Sequence, residues 1–441
     1  MNYKSVLFFC VMLLVAGGLS ACFPTEEPVS IREKKIKEAI FESMQEWYYW
    51  NDQLPLSIDV GRYGNNDDLL LDLLYQDYDR WSYLTTKEAF SKAFTGQNAG
   101  HGIGFGLGPD EKVYITFVYE DSPAGKDGWQ RGWEIIGIND QPIESYRSAN
   151  GFNFQLGPTQ PGITNSFTFK LPDGTTTTRT NTKAEYQANS VLHKDVIKVE
   201  ETNIGYWVYN SFKAATDSGP TNSLEVEQAL AYFEEAGIEE LIIDLRYNGG
   251  GSVDVAEQIM NALVPSIASG ELMYTNAYNK EKSSFNDEMR FEKTGNIELV
   301  RIVFITSRGS ASASELLINC LEPYVEVILI GEKTYGKPVG SFPLSQFNEV
   351  LSDNDIELVP ITFAIANAKG KAEYFDGFPV DIPAMDDPSK NWGDPEENKF
   401  SAAMSYLLYG TLSPLSRFQI EEKQWSMIDN FSGLQKEFPV Y

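Results

Sequence analysis

The sequence predicts an α/β multidomain chain: an N-terminal helical region, a small β-rich module, and an α/β domain that takes more than half of the length. Three observations predict it. Residues 30–95 carry apolar positions at helical spacing. Residues 96–185 are dense in Gly and in short strand-like runs. Residues 186–441 alternate apolar strands with helices, the pattern of a layered structure with buried, largely parallel strands. A length of 441 residues fits two or three such units.

The first residues read as an address. Lys4 is the only charge before residue 26, Val6 to Gly18 is an apolar or small run too short to span a bilayer comfortably, and Leu19-Ser20-Ala21-Cys22 follows. The layout predicts a signal peptide over 1–21. The last four residues resemble a bacterial lipobox, which implies lipidation of Cys22 and a tether over 22–29. The expected location is therefore the cell envelope, exported and membrane-anchored, on the periplasmic or the surface face.

In the helical region, Ser30 and Glu33 have capping-box spacing and Ile36, Ile40, Met44 and Trp47 follow on one face. Further helices are expected near Asp67 to Tyr78 and Thr86 to Phe94. The run Trp47-Tyr48-Tyr49-Trp50 is expected to be core or an inter-domain contact. In the module, Val113 to Tyr119 and Glu134 to Ile138 read as strands, and Pro172-Asp173-Gly174 turns a hairpin between Phe167–Leu171 and Thr175–Thr180. In the last domain, helices are expected at Leu224–Ala236, Val253–Leu263 and Ser314–Leu321. Strands are expected at Leu241–Leu245, Val303–Thr306 and Val325–Ile330.

Composition excludes several chemistries. With 35 Lys and Arg against 63 Asp and Glu the net charge is −28, which repels nucleic acid. Two His and three Cys leave no close cluster for a Cys/His zinc site. A Ser-His-Asp triad would have to use His101, which reads as a loop residue, or His193, which reads as a surface strand.

Three Gly-containing loops carry the candidate chemistry. Gly331-Glu332-Lys333-Thr334-Tyr335-Gly336-Lys337 fits a P-loop for seven positions, but Pro338 replaces the Mg²⁺-binding hydroxyl and no helix can follow. Leu245-Arg246-Tyr247-Asn248-Gly249-Gly250-Gly251-Ser252 lets backbone amides converge on one spot, or is a tight turn capped by Ser252. Ser310-Ala311-Ser312-Ala313-Ser314-Glu315 opens a helix, either as a capping box or as a nucleophile turn. A nucleophilic Ser needs a base, and with His scarce the natural candidate is Lys337, in the loop after the next strand. Loops after adjacent parallel strands end on one edge, so Ser312, Lys337 and Gly249–Gly251 can converge. A neutral Lys requires a pKa moved from about 10.4 to about 7, at a cost of roughly 4–5 kcal/mol of burial.

These motifs jointly resemble the C-terminal processing (tail-specific) serine peptidases, and the resemblance runs through almost the whole chain beyond the leader. It rests on Ser310–Glu315, on Gly331–Lys337 and on Asp244-Leu-Arg-Tyr-Asn-Gly-Gly-Gly251. Asp79-Arg-Trp-Ser-Tyr-Leu84 and Tyr374-Phe-Asp-Gly-Phe-Pro-Val-Asp381 add to it. It implies a Ser/Lys peptidase domain of crotonase/ClpP-like fold over 186–441, with Ser312 as nucleophile, Lys337 as general base and Glu315 as third member. Gly249 or Gly250 with Ala313 would form the oxyanion hole. It implies a PDZ-like domain over 96–185, with the segments Asp121-Ser-Pro-Ala-Gly125 and Trp133-Glu-Ile-Ile-Gly-Ile-Asn139. There Gly102, Ile103, Gly104 and Phe105 would bind a peptide's terminal carboxylate, with Ile103 and Phe105 lining an apolar pocket. Pro338 stands where the family usually has Gly, and Ser341 where some members carry a Gln that orients the Lys. The implied partners are polypeptides with free, apolar C-termini and a membrane reached through Cys22, and the implied reaction requires no metal and no cofactor. The alternative is a non-proteolytic protein of the same fold that binds peptides or lipophilic ligands.

Overall fold

The structure is a computed structural model that describes residues 29–148, 151–214 and 222–410. The expected signal peptide, the lipidation site Cys22 and nearly all of the tether lie outside these residues. So does 411–441, the end of the expected α/β domain. Among the described residues no helix is long and apolar enough to cross a membrane.

The alternating segments of the last domain build one six-stranded sheet. Its order is Val191–Val199, Thr202–Tyr209, Glu240–Asp244, Arg301–Thr306, Glu326–Gly331, Ile382–Pro383. The first pair is antiparallel and every later pair is parallel. Strand period two splits the side chains into two apolar layers. Trp207, Ile243 and Phe304 pack with the helices Leu224–Ala236, Val253–Leu263 and Ala313–Leu321. Tyr206, Ile242, Val303 and Ile305 pack with the helix Asn398–Tyr409. Each buried Ile or Phe contributes about 1.5–3 kcal/mol, so the sheet is clamped from both faces.

A second antiparallel sheet runs Asp287–Arg290, Leu272–Tyr278, Ile361–Asn367, Val339–Ser341. Its last strand is the direct continuation of the Lys337 loop, and it takes Ser341 into pairing with Ile361.

The helical region forms Val29–Trp47, Asn66–Leu73 and Lys87–Thr95. Ser30 lies inside the first helix rather than capping it. The second helix stops at Leu73, earlier than expected, because Tyr48 Oη takes the Tyr75 N–H at 3.0 Å and the chain turns there. Trp47 and Tyr48 are buried in one core with Leu344, Leu358 and Ile361. Strand Tyr83–Thr85 pairs with Glu357–Val359, which ties this region to the α/β domain.

The module is an antiparallel sheet in the order Thr176–Thr182, Thr164–Lys170, Glu134–Ile138, Val113–Val118, Ile103–Leu107. Gln97–Gly100 pairs with Ala184–Gln187 to close a neck where the chain enters and leaves.

Candidate active site

Ser312 follows strand Arg301–Thr306 and stands at the N-cap of helix Ala313–Leu321. Its backbone has φ 56° and ψ −115°, a left-handed conformation that costs a Ser about 1–3 kcal/mol. The strain is held by hydrogen bonds on both sides of the residue. The Ala311 N–H and the Ser314 hydroxyl both donate to Asn248 O, at 3.2 and 3.0 Å. Ser310 Oγ donates to Leu245 O at 2.7 Å, and Ser310 O accepts the Tyr335 N–H at 3.0 Å. Ser312 itself is half-exposed while its neighbours are buried.

Glu315 is fully buried and its carboxylate gathers the turn and the Lys337 loop together. Oε2 accepts the N–H of Ser312 at 3.1 Å and of Lys337 at 2.8 Å. Oε1 accepts Thr334 Oγ1 at 2.6 Å and the Gly336 N–H at 2.7 Å. The reach back to the Ser312 N–H is half of the expected capping box. Burial pushes the carboxyl of Glu315 up, and these donors pull it back only partly. Lys337 is buried, on the loop that leaves strand Glu326–Gly331, beside the strand that leads to Ser312. Arg80 of the helical region braces that loop, with Nη2 at 3.4 Å from the carbonyls of Tyr335 and Gly336 and its guanidinium over the Tyr335 ring.

The Gly-rich loop meets the same spot. A Cβ on Gly250 would lie 2.8 Å from Ser312 Cβ and 3.1 Å from Ala313 N, so only Gly fits there, and its φ of 114° requires Gly as well. The Gly250 N–H donates to Asn248 Oδ1 at 2.9 Å. Of the two loop amides expected for an oxyanion hole, Gly249 is therefore the one whose N–H has no acceptor among the described residues, and the N–H of Ala313 is one of the unpaired donors of the first helical turn. Ser252 caps the next helix by position but makes no side-chain cap bond.

Sequence reasoning missed what holds this loop. Arg246 is fully buried and bonds Asp244, Asp386 and Glu397. Arg131 of the module reaches the same Asp386 and the Tyr247 hydroxyl. Burial alone would raise the Asp386 and Glu397 carboxyls, but Arg246 and Arg131 outweigh it and hold both below the ordinary carboxylate range. Asp386 and Glu397 lie about 140 and 150 positions after Arg246, so no local spacing marks them. Asn248 was also passed over. Its side chain bonds Tyr209 O and the Gly250 N–H while its carbonyl holds the turn that carries Ser312.

Of the expected peptide-binding residues, Gly102, Ile103, Gly104 and Phe105 are all buried. Phe154 packs edge-on against Phe105 at 5.0 Å, so the apolar space that Ile103 and Phe105 were expected to line is filled by the module's own core. Ile103–Leu107 is nevertheless the terminal strand of its sheet. His101 is buried between Asn181 Oδ1 and Asn165 Oδ1, a structural role within the module, and burial lowers its pKa. His193 lies on strand Val191–Val199 as expected, but half-buried against the Tyr206 ring rather than on the surface. No group of three or more His, Cys, Asp or Glu among the described residues is arranged to hold a metal ion.

Two family models match the chain, Peptidase family S41 over residues 203–363 and Peptidase S41 N-terminal domain over residues 35–83. The carboxy-terminal processing protease CtpB of Bacillus subtilis (strain 168) is 25% identical over 281 residues, 61% of this chain and 52% of that protein. A probable CtpA-like serine protease of Staphylococcus saprophyticus is 23% identical over 319 residues, 70% of this chain and 57% of that protein. The chain thus spans little more than half the length of these curated relatives. Among solved structures, a putative S41 protease from Bacteroides fragilis NCTC 9343 superposes with a TM-score of 0.66 at 23% identity, over 84% of this chain and 97% of that one. That likeness is one of fold.

Proposed function

We propose, from the matches to the models of Peptidase family S41 and of the Peptidase S41 N-terminal domain, that the chain is a serine endopeptidase acting on polypeptides. The observation that carries the reading is the Glu315 carboxylate, which takes the backbone N–H of Ser312 and of Lys337 together. In this reading Lys337 Nζ removes the Ser312 hydroxyl proton as Oγ attacks the scissile carbonyl. The oxyanion is received by the N–H groups of Gly249 and Ala313. The protonated Lys337 returns its proton to the leaving amine, and water then releases the acyl group from Ser312. Glu315 is a positioning residue that fixes the strained turn and the base loop. Gly250 supplies the close approach, with its own amide committed to Asn248.

The β-rich module is read as PDZ-like over 96–185, capturing a free C-terminus along strand Ile103–Leu107. The α/β domain is read as crotonase/ClpP-like from 186 onward, and 30–95 as the region that braces its base loop. Leu19-Ser20-Ala21-Cys22 supports export and a lipid anchor at Cys22, in the cell envelope.

The test incubates the full chain, Ser312→Ala and Lys337→Ala with an unfolded polypeptide bearing an apolar free C-terminus, and with its amidated form. Cleavage by wild type alone, faster for the free acid, is expected. Cleavage by either variant at the wild-type rate would remove the Ser-Lys assignment. Tight binding without cleavage by any of the three would favour the non-proteolytic reading.

A further inference from the structure

Between the module's neck and the strand that supports the Gly-rich loop lies a group of buried polar atoms that the reaction above does not use. Lys213 is only 5% exposed. Its Nζ has a carbonyl, Ala188 O, at 3.3 Å and the face of the Tyr119 ring at 4.6 Å. Burial pushes its amine down to about 7, against the pull of Glu225. Glu225 is itself occupied by the N–H groups of Ser190 and Val191, at 2.6 and 3.0 Å. Three further buried atoms here have no hydrogen-bond partner among the described residues: the Tyr186 hydroxyl, Ser190 Oγ and Asn210 Oδ1. Buried polar groups are almost always satisfied, so four under-used groups in one place point to something that fills them when present.

Connectivity shows that these atoms share one locality. Asn210 donates its N–H to Ser190 O and its side-chain amide to the Tyr119 hydroxyl. The Tyr119 and Tyr186 rings lie 5.9 Å apart. Tyr186 in turn borders the module's first loop glycine: a Cβ on Gly102 would fall 3.2 Å from Tyr186 Cζ, the carbon that bears the unpartnered hydroxyl. On the other side, Phe212, next to Lys213, donates its N–H to Gly250 O at 2.9 Å and accepts from the Ser252 N–H at 2.8 Å.

We propose that Lys213, Tyr186 and Ser190 form a carboxylate-accepting site at the junction of the module and the α/β domain, which receives the terminal carboxylate of the polypeptide. The inference rests on the reading of the module as a capture site for C-termini. The donor set is the Lys213 amine, an ammonium once protonated, with two hydroxyls, against one orphan acceptor among the described residues here, Asn210 Oδ1, which suits an anion rather than a cation. In a chain of net charge −28 an anion needs such a local cation. The apolar side of Gly102–Phe105 is filled by Phe154, whereas the polar side, towards Tyr186, is the unsatisfied one. An arriving carboxylate would recharge Lys213, so binding takes up a proton above the amine's value of about 7. Because Phe212 is bonded to Gly250, occupancy also bears directly on the segment that bridges to the Gly-rich loop.

The experiment measures binding by calorimetry to full-length Ser312→Ala, with a short unstructured peptide ending in Ala-Ala-Val and with its C-terminal amide. The free acid is expected to bind about tenfold or more tightly. At about pH 8 its enthalpy is expected to depend on the ionisation enthalpy of the buffer, as proton uptake requires. Added Lys213→Met should abolish both effects. Tyr186→Phe, which removes a single unpartnered atom and leaves the packing intact, should reduce the preference several-fold. A preference that survives both changes overturns the site and leaves capture by loop amides standing. No preference in Ser312→Ala itself overturns the site and the capture reading together, while the peptidase chemistry is judged separately by cleavage.

Discussion

Gly250 and Ser312 are in contact at the limit of atomic size, with room for a hydrogen on Gly250 and for nothing larger: an added methyl would sit 2.8 Å from Ser312 Cβ. Gly250→Ala is therefore expected to push the strained turn out of register and to lower kcat/KM by about 100-fold or more. The melting temperature should fall by only a few degrees, since the strain of a non-Gly residue at this φ is about 1–3 kcal/mol. Activity within a few-fold of wild type would show that the loop does not approach the reacting atoms.

Glu315 accepts from four donors at once. A Gln has one acceptor oxygen there and would turn an NH₂ towards N–H groups. Glu315→Gln is expected to destabilise by about 2–4 kcal/mol, read in denaturant, and to reduce turnover more than it raises KM. An unchanged denaturation midpoint with unchanged turnover would mean that the carboxylate is dispensable to both loops.

Arg80 contacts the Lys337 loop from a different region of the chain, but through long bonds and an exposed guanidinium. Such a brace is worth about 1 kcal/mol. Arg80→Ala should cost roughly five- to tenfold in turnover, measured with a peptide substrate, and Arg80→Lys should recover only part of it. Full rescue by Lys would assign the effect to charge alone.

Asp386 and Glu397 are both held below their ordinary range by buried guanidinium groups. Their contribution to stability is present above the unfolded carboxyl pKa values, about 4, and is lost as pH falls through the depressed folded values. The denaturant midpoint should thus drop steeply below about pH 4. In Glu397→Gln the drop should be shallower, from a lower starting point. An identical slope in the variant would assign the acid transition to other groups.

The elements that place the candidate site were legible because local rules decide them. Leu224–Ala236 and Val253–Leu263 form the helices that their apolar spacing predicts, and Glu134–Ile138 the strand. The loops with Ser312, Lys337 and Gly250 follow three adjacent parallel strands, as the alternation implied. What escaped was set by distant partners. The helix from Asn66 ends early because Tyr48, far upstream, captures the Tyr75 N–H. The burial of Gly102–Phe105 depends on Phe154 folding back across the module, and sequence periodicity carries no trace of that contact. Arg246 reads as one more charged residue until Asp386 and Glu397 surround it.

That last arrangement also orders events in time. Glu397 heads the helix Asn398–Tyr409 and supplies both oxygens to Arg246. A ribosome that has made the chain as far as Lys337 has made all three candidate reacting groups, yet Arg246 then has only Asp244 to bond. The Gly-rich loop then has its contacts with Tyr209, Phe212 and Ala311, but the two carboxylates that complete the bonding of Arg246 come about 50 and 60 residues later. The ion cluster behind the Gly-rich loop is thereby completed only after the segments that carry Ser312 and Lys337 have been made.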